Sequence, residues 1–352
     1  MTTITEPSQR PCGPRGRTGG TAADESHPAV LGRVLTGDRP TGALHLGHYF
    51  GTIANRVRLQ RQGHELIIVI ADYQVITDRD RPGDLARLVA DMVLDYLACG
   101  LDPDTTTFFV HSAVPSLNQL LLPFLSLVGV GELDRNPTVK DEIRVAGRPA
   151  VNGLMLTYPV HQAADILFCK ADLVPVGKDQ LPHLELTRSL ARRFNQRYGE
   201  VFPLPRALLS EVPVLVGLDG QKMSKSRGNS IALTAADDTV AALIRRARTD
   251  SQRRVDYAPR DRPEVANLLR LTALCTGADP AAIADEIGEG GAAELKQRAT
   301  EAVLDLLGPI RQRRRGFDVA FARQALARGA ERARELADQT LREVNAAMGM
   351  RY

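Results

Sequence analysis

Two pairs of side chains stand out by type and spacing. The first is His45 and His48 in "TGALHLGH" (41–48), within a chain that holds only seven histidines. Histidines three apart share one face of a helix, so a metal pair is one chemistry open to them. A grip on a polyphosphate is another: glycine lets backbone and base come close, imidazoles donate to phosphoryl oxygens, and a helix N-terminus offers N–H groups and partial positive charge. A third is a turn whose histidines are satisfied locally. The second pair is Lys222 and Lys225 in "QKMSKSRGNS" (221–230). Of 45 Lys and Arg only six are Lys, at 140, 170, 178, 222, 225 and 296. Where arginine is the default, two lysines three apart indicate a need for compact ammonium groups rather than planar forks. The plain alternative is a solvated polar loop.

The elements that would position these groups follow from hydrophobic patterning. Short β-like runs fall at 32–37, 65–72 ("ELIIVIAD"), 106–112, 173–177 and 212–217 ("VPVLVG"). Continuous apolar runs of this length are typical of parallel strands buried on both faces. Between them lie helical patterns from about Leu44 to Gln60, over 84–100 with Asp84 at its start and Gly100 at its end, and from Asp179 through "QLPHLELTRSLARRFNQR". Strands alternating with helices predict an α/β fold, a doubly wound parallel (Rossmann-type) sheet. Beyond about residue 235 only helical patterns remain, broken near Pro280 and "GEGG" (288–291), so an α-helical domain follows the sheet. Ligands bind outside the carboxyl ends of such strands. "TGALHLGH" after the first strand and "QKMSKS" after the fifth therefore open onto one edge, which favours the phosphate grip. No third ligand accompanies the histidine pair at useful spacing, and no metal site is assigned.

Composition narrows the classes further. No apolar run approaches the roughly 18–20 residues of a bilayer span, so a soluble, cytoplasmic protein without membrane contact is expected. Cys12, Cys99, Cys169 and Cys275 lack CxxC spacing and read as reduced thiols. A net charge of +3 announces no whole-molecule attraction to nucleic acid. Residues 1–31, rich in Gly, Pro, Thr and Ser, read as a disordered extension.

"PTGALHLGH" and "KMSKS" together, in this order, resemble the paired HIGH and KMSKS motifs of class I aminoacyl-tRNA synthetases. "LTYPVHQAADILFCKADLVPVGKDQLPHLELTRSLARRFNQRYGE" and "GAERARELADQTLREVNAAMG" further resemble the central segment and C-terminal helix of the bacterial tryptophanyl-tRNA synthetases, and the likeness covers the chain from about residue 33. The resemblance implies activation of tryptophan by Mg2+-bound ATP, transfer to tRNA(Trp), and a homodimer. By the same resemblance His45, His48, Lys222 and Lys225 are catalytic. Arg39, Pro40, Thr41, Gly47, His48, Gly177, Lys178, Asp179, Val214, Lys222, Met223, Ser224, Lys225 and Ser226 would hold ATP. Asp165 would accept the indole N–H, with Tyr158, Gln162, Gln74, Leu35, Val176 and Gln180 lining the pocket. Tyr158 and Gln162 stand seven and three residues before Asp165, as one helical face requires. The implied domains are a catalytic unit over 32–218, a KMSKS loop over 219–234, a helical anticodon-binding unit over 235–325 and a helix over 326–352 packing back on the catalytic unit.

Some positions depart from the family. Gln162 stands where methionine is usual, Gln74 where many bacterial members have histidine, Arg39 where glutamine is common, and Lys178 where an acid is usual. The altered pocket suggests a variant resistant to compounds that mimic tryptophan. Two other readings stay open: a non-catalytic paralogue that senses tryptophan or tRNA, and a tyrosyl-specific relative. For tRNA contact the candidates are "RRARTDSQRR" (245–254), with Arg245 and Arg246 foremost, and "RQRRR" (311–315).

Overall fold

Five strands form: β1 (Arg33–Asp38), β2 (Glu65–Ile70), β3 (Thr106–Val110) and β4 (Leu173–Val176), each with β-branched residues, and β5 (Arg206–Leu209), which has none. The computed structural model describes residues 31–77, 83–137, 139–140, 152–177, 180–209, 215–221, 223 and 227–351. The strands pair in parallel in the order β3-β2-β1-β4-β5. Within β2, Leu66, Ile68 and Ile70 face one core while Ile67 and Val69 face the other, which explains an unbroken apolar run. The order reverses between β1 and β4, and a crevice opens there at the carboxyl ends of the strands.

Helices cover both faces. The first turn of helix after β1, Leu46–His48, passes through a π-type turn over Tyr49–Ile53 into α1 (Ala54–Arg61). Then come α2 (Leu85–Ala98), α3 (Gly153–Leu167) and α4 (Leu181–Tyr198). Asp84 Oδ1 accepts from the Arg87 N–H at 3.1 Å and Asn152 Oδ1 from the Met155 N–H at 2.8 Å, each capping the helix it precedes. The expected start of α4 at Asp179 lies outside the described residues.

The fifth strand is not where the apolar run predicts. It is "RALL" (206–209), at the sheet edge with Leu209 exposed. Within 212–217 the described residues 215–217 belong to no strand of the sheet. Leu215 and Leu218 are instead buried in the core shared with the helical region. At Leu215 and Leu218 hydrophobicity reports burial rather than a ladder, and an edge strand has less apolar surface to advertise.

Past Leu209 the described residues hold helices and no further strand: α5 (Asp237–Arg246), α6 (Pro263–Thr276), α7 (Pro280–Ile287), α8 (Gly291–Arg314) and α9 (Val319–Ala347). The implied boundary at 325/326 falls inside α9. "RQRRR" proves to be mostly structural: Arg311 bonds the Ala235 carbonyl and Asp237, Arg313 the Ala98 carbonyl, and Arg314 pairs with Asp91 and Asp95 on α2. Arg313 and Arg314 tie α8 to α2 of the sheet domain and Arg311 ties it to the start of α5, while Arg315 is exposed.

The small residues Ala322, Ala325, Gly329, Ala333 and Ala337 recur on one face of α9, and all are buried. They let the helix lie against β3, the end strand of the sheet. At Gly329 a Cβ would stand 1.9 Å from the Phe108 carbonyl oxygen. Further along, Arg334 donates to the Ala113 carbonyl at 2.7 Å and Thr340 to the Phe168 carbonyl at 2.7 Å. The helix thereby covers an edge that would otherwise present unpaired backbone groups.

Cys99 and Cys169 are buried, and burial pushes both thiols up to about 12. No described helix is long and apolar enough to cross a membrane. The expected disorder of 1–31 falls almost wholly outside the described residues.

Candidate active site

The HLGH turn is built by its own histidines. His45 precedes the helix and its Nδ1 accepts from the Gly47 N–H at 3.1 Å, while His48 Nδ1 accepts from the His45 N–H at 3.2 Å. Because each Nδ1 is an acceptor, each neutral ring carries its proton on Nε2. The two rings lie 3.9 Å apart between centroids. A Cβ on Gly47 would stand 2.9 Å from His45 Cε1 and 3.1 Å from Met223 Sδ, so this position needs glycine. The same contact brings the KMSKS segment onto the HLGH turn. Backbone pairing reinforces it: Leu46 N–H bonds the Ile231 carbonyl, Leu233 N–H bonds the Leu44 carbonyl, and His45 forms an antiparallel bridge with Ala232. At the loop's base Asn229 donates to Asp219 Oδ1 at 2.7 Å. Val214, Lys222, Ser224, Lys225 and Ser226 lie outside the described residues, as do Lys178 and Asp179.

Beside the turn, at the point where strand order reverses, is a cavity of about 320 Å³. All seven positions implied for tryptophan line it: Leu35, Gln74, Tyr158, Gln162, Asp165, Val176 and Gln180. Arg39 and Gly177, from the set implied for ATP, line it too. Pro40, Thr41, Gly47 and His48 lie just beyond its rim in sequence and do not line it. Tyr158, Gln162 and Asp165 share one face of α3, and the Tyr158 hydroxyl meets His183 Nε2 at 3.1 Å.

Two clusters bordering this cavity contain side chains that sequence reasoning missed. Under its β1 wall, Arg56 is fully buried and reaches Asp38 at 2.5 Å, Thr36 Oγ1 at 2.9 Å and the Tyr96 hydroxyl at 3.2 Å. Burial pushes the Asp38 carboxyl up, but Arg56 outweighs it, aided by a hydrogen bond from Tyr96, and the carboxyl stays below its ordinary value. The second cluster is His111, His161 and Asp165, which offer one ligand atom each within 4.8 Å, a set able to hold a metal ion. His111 Nε2 lies 2.7 Å from Asp165 Oδ1. Burial disfavours charge on His111, yet Asp165 and then Asp72 outweigh it and raise the imidazole. His161 goes the other way: burial lowers it, and His111 adds to that against the pull of Asp165. The signal for these residues was rarity: five of seven histidines (45, 48, 111, 161 and 183) gather around this crevice.

Arg245 and Arg246 end α5 and are exposed; Arg245 borders a groove with Lys296, whose ammonium bonds the Arg245 carbonyl at 3.0 Å. Neither guanidinium has an ion pair among the described residues.

A parallel sheet with a switch-point cavity beside a histidine-capped turn, on which Met223 packs, is an arrangement suited to binding a phosphoryl-bearing substrate. A family model described as tRNA synthetases class I (W and Y) matches residues 31–308. The chain therefore belongs to the class I tRNA synthetases of the tryptophan and tyrosine branch. Within that branch its curated relatives include tryptophan–tRNA ligases. The one from Treponema pallidum is 44% identical over 328 residues, covering 90% of this chain and 97% of the relative. That from Clostridium longisporum is 40% identical, covering 91% and 97%. Among solved structures, the tryptophanyl-tRNA synthetase of Campylobacter jejuni, complexed with ADP and tryptophan, superposes with a TM-score of 0.79 at 30% identity, covering 90% of this chain and 99% of that one.

Proposed function

We propose that the chain is a tryptophan–tRNA ligase that joins L-tryptophan to ATP, releases pyrophosphate, and passes the aminoacyl group from the adenylate to tRNA(Trp). The observation that carries this reading is the single cavity at the β1/β4 switch point, where Asp165 and the other six indole-pocket candidates meet Arg39 and Gly177 beside the HLGH turn.

In the first step the tryptophan carboxylate attacks the α-phosphorus of ATP and the bond to pyrophosphate breaks. Negative charge then spreads over phosphoryl oxygens. Such a step needs in-line positioning and charge stabilisation more than covalent help. His45 and His48 suit it as Nε2–H donors, and Lys222 and Lys225 as ammonium groups closing over the departing pyrophosphate. Mg2+ arrives with the nucleotide. In the second step a ribose hydroxyl of the tRNA attacks the acyl carbon and AMP leaves. Asp165 selects the amino acid, because a buried acceptor left unpaired penalises side chains that lack a donor. By resemblance the working unit is a homodimer in the cytoplasm, with tRNA meeting the helical region over 235–325.

Tryptophan-dependent exchange of pyrophosphate into ATP tests the reading. Exchange with tryptophan and not tyrosine is expected, followed by charging of tRNA(Trp). Exchange with neither amino acid would hand the case to a non-catalytic sensor, and exchange with tyrosine would overturn the pocket assignment.

A further inference from the structure

We infer that His111 is a positioning residue for the carboxylate that reads the indole ring, holding Asp165 Oδ1 so that the other carboxylate oxygen takes the indole N–H. The inference rests on the tryptophan reading above and adds a residue to it. His111 follows β3 at the carboxyl end of the sheet, and Asp165 comes from the pocket face of α3. Both are buried, His111 at 0% and Asp165 at 3% exposure, and burying charge is unfavourable unless it is paired.

The 2.7 Å separation of His111 Nε2 from Asp165 Oδ1 is that of a charge-assisted hydrogen bond. The angles, however, do not meet hydrogen-bond geometry, and neither ring nitrogen of His111 nor Asp165 Oδ1 finds such a partner among the described residues. A small rotation of the carboxylate plane would complete the bond. The ring itself has little room to turn: the His161 ring lies 4.7 Å away, held by Asn118 Oδ1 at 2.7 Å, and the Tyr73 ring stacks at 6.3 Å. The imidazole is thus the fixed member of the pair and the carboxylate the movable one. An indole N–H arriving from the cavity on the second oxygen sets the plane of the carboxylate, and the bond to His111 closes behind it. Selectivity for a ring N–H then depends on both contacts.

The test compares tryptophan with its benzothiophene analogue, in which sulfur replaces the ring N–H, in pyrophosphate exchange. Wild-type protein should favour tryptophan by at least about tenfold in kcat/KM, since a site built around a donor rejects ligands without it. His111→Leu should reduce that preference to less than about threefold through KM, with kcat changed less than about twofold. His111→Gln, which keeps an N–H donor at similar reach, should restore most of it. Should His111→Leu not fold, His111→Asn, whose amide is too short to reach Oδ1, takes its place. Full preference in the variant lacking a donor overturns the positioning role. Wild-type protein that activates no tryptophan overturns the functional reading instead. Metal analysis of the purified chain closes the third route: a tightly held zinc ion, whose removal changes the preference, would assign these side chains to an ion and overturn the proposal.

Discussion

Replacing Arg56 by methionine would leave Asp38 facing the cavity wall without its cation. Arg56 is 1% exposed and holds Asp38, Thr36 and Tyr96 together from α1. Removing one partner of a buried ion pair costs about 3–5 kcal/mol, because the remaining charge is left uncompensated. The Asp38 side chain keeps 15% exposure, which places the expected loss at the lower end, about 3 kcal/mol. At roughly 2–4 °C per kcal/mol for large domains, thermal melting should fall by about 6–12 °C. A second substitution separates charge from packing: Arg56→Met with Asp38→Asn removes the stranded anion yet keeps an acceptor for the Tyr96 hydroxyl, and should recover most of the loss. Acid provides the other control. A carboxyl held below its ordinary 3.8 contributes stability above that value and loses it as pH falls through its folded value. The wild-type advantage over Arg56→Met, full at pH 7, should therefore shrink on acidification and be smallest below pH 3.8. Urea or thermal melts of the three proteins across pH decide it. A single-variant loss under about 1 kcal/mol, or a double variant no better than the single, would refute the reasoning.

Lys225→Ala should slow pyrophosphate exchange at least about tenfold in kcat while leaving the KM for tryptophan nearly unchanged, because the ammonium meets charge that grows in the transition state. A smaller change places the lysine outside the reaction. Neutralising Arg245 and Arg246 together should weaken charging and leave exchange intact, with the salt dependence of tRNA binding shallower by about one unit of slope per lost phosphate contact. An unchanged slope means a solvated face. Gly329→Val should abolish folding or lower the melting temperature sharply, since even a Cβ would sit 1.9 Å from the Phe108 carbonyl oxygen; a melt within a degree or two of wild type would show that α9 can lift off β3 freely. Gln74→His should restore sensitivity to tryptophan mimics that need an imidazole, by about 5- to 150-fold, with the KM for tryptophan little moved. Equal inhibition of both proteins by every mimic would leave neutral drift as the account of Gln74.

The parts of the fold legible in the sequence are those where burial and secondary structure coincide. β2 is buried on both faces and reads as an unbroken apolar run, and α2 carries its own cap in Asp84. β5 was misplaced because "RALL" lies at an edge and is half in solvent, while Leu215, within the more apolar run, packs in the core shared with the helical region. In the site, local motifs were visible and non-local ones were not. Tyr158, Gln162 and Asp165 share a helix face and could be read together from spacing. Arg56 and Asp38 are 18 residues apart, and His111 and Asp165 are 54 apart, on different elements; no spacing rule joins them. The pairing of Arg314 with Asp91 and Asp95 on α2 is equally non-local and equally invisible to spacing.

The covering of β3 by α9 has a consequence for the order in which the chain is made. All five strands have been synthesised by residue 209, and β3 is complete at residue 110, yet the helix that shields its edge starts only at residue 319. At about 5–20 residues per second, β3 waits roughly 10–40 s for its cover. During that interval "TTFFV", with two aromatic residues and no charge, can recruit a neighbouring nascent chain as readily as it awaits its own C-terminus. A ribosome stalled or terminated between residues 209 and 319 would thus release a chain with all five strands and the β3 edge uncovered, a substrate for chaperones and proteases. The last helix serves as the mark by which a finished molecule differs from an abandoned one.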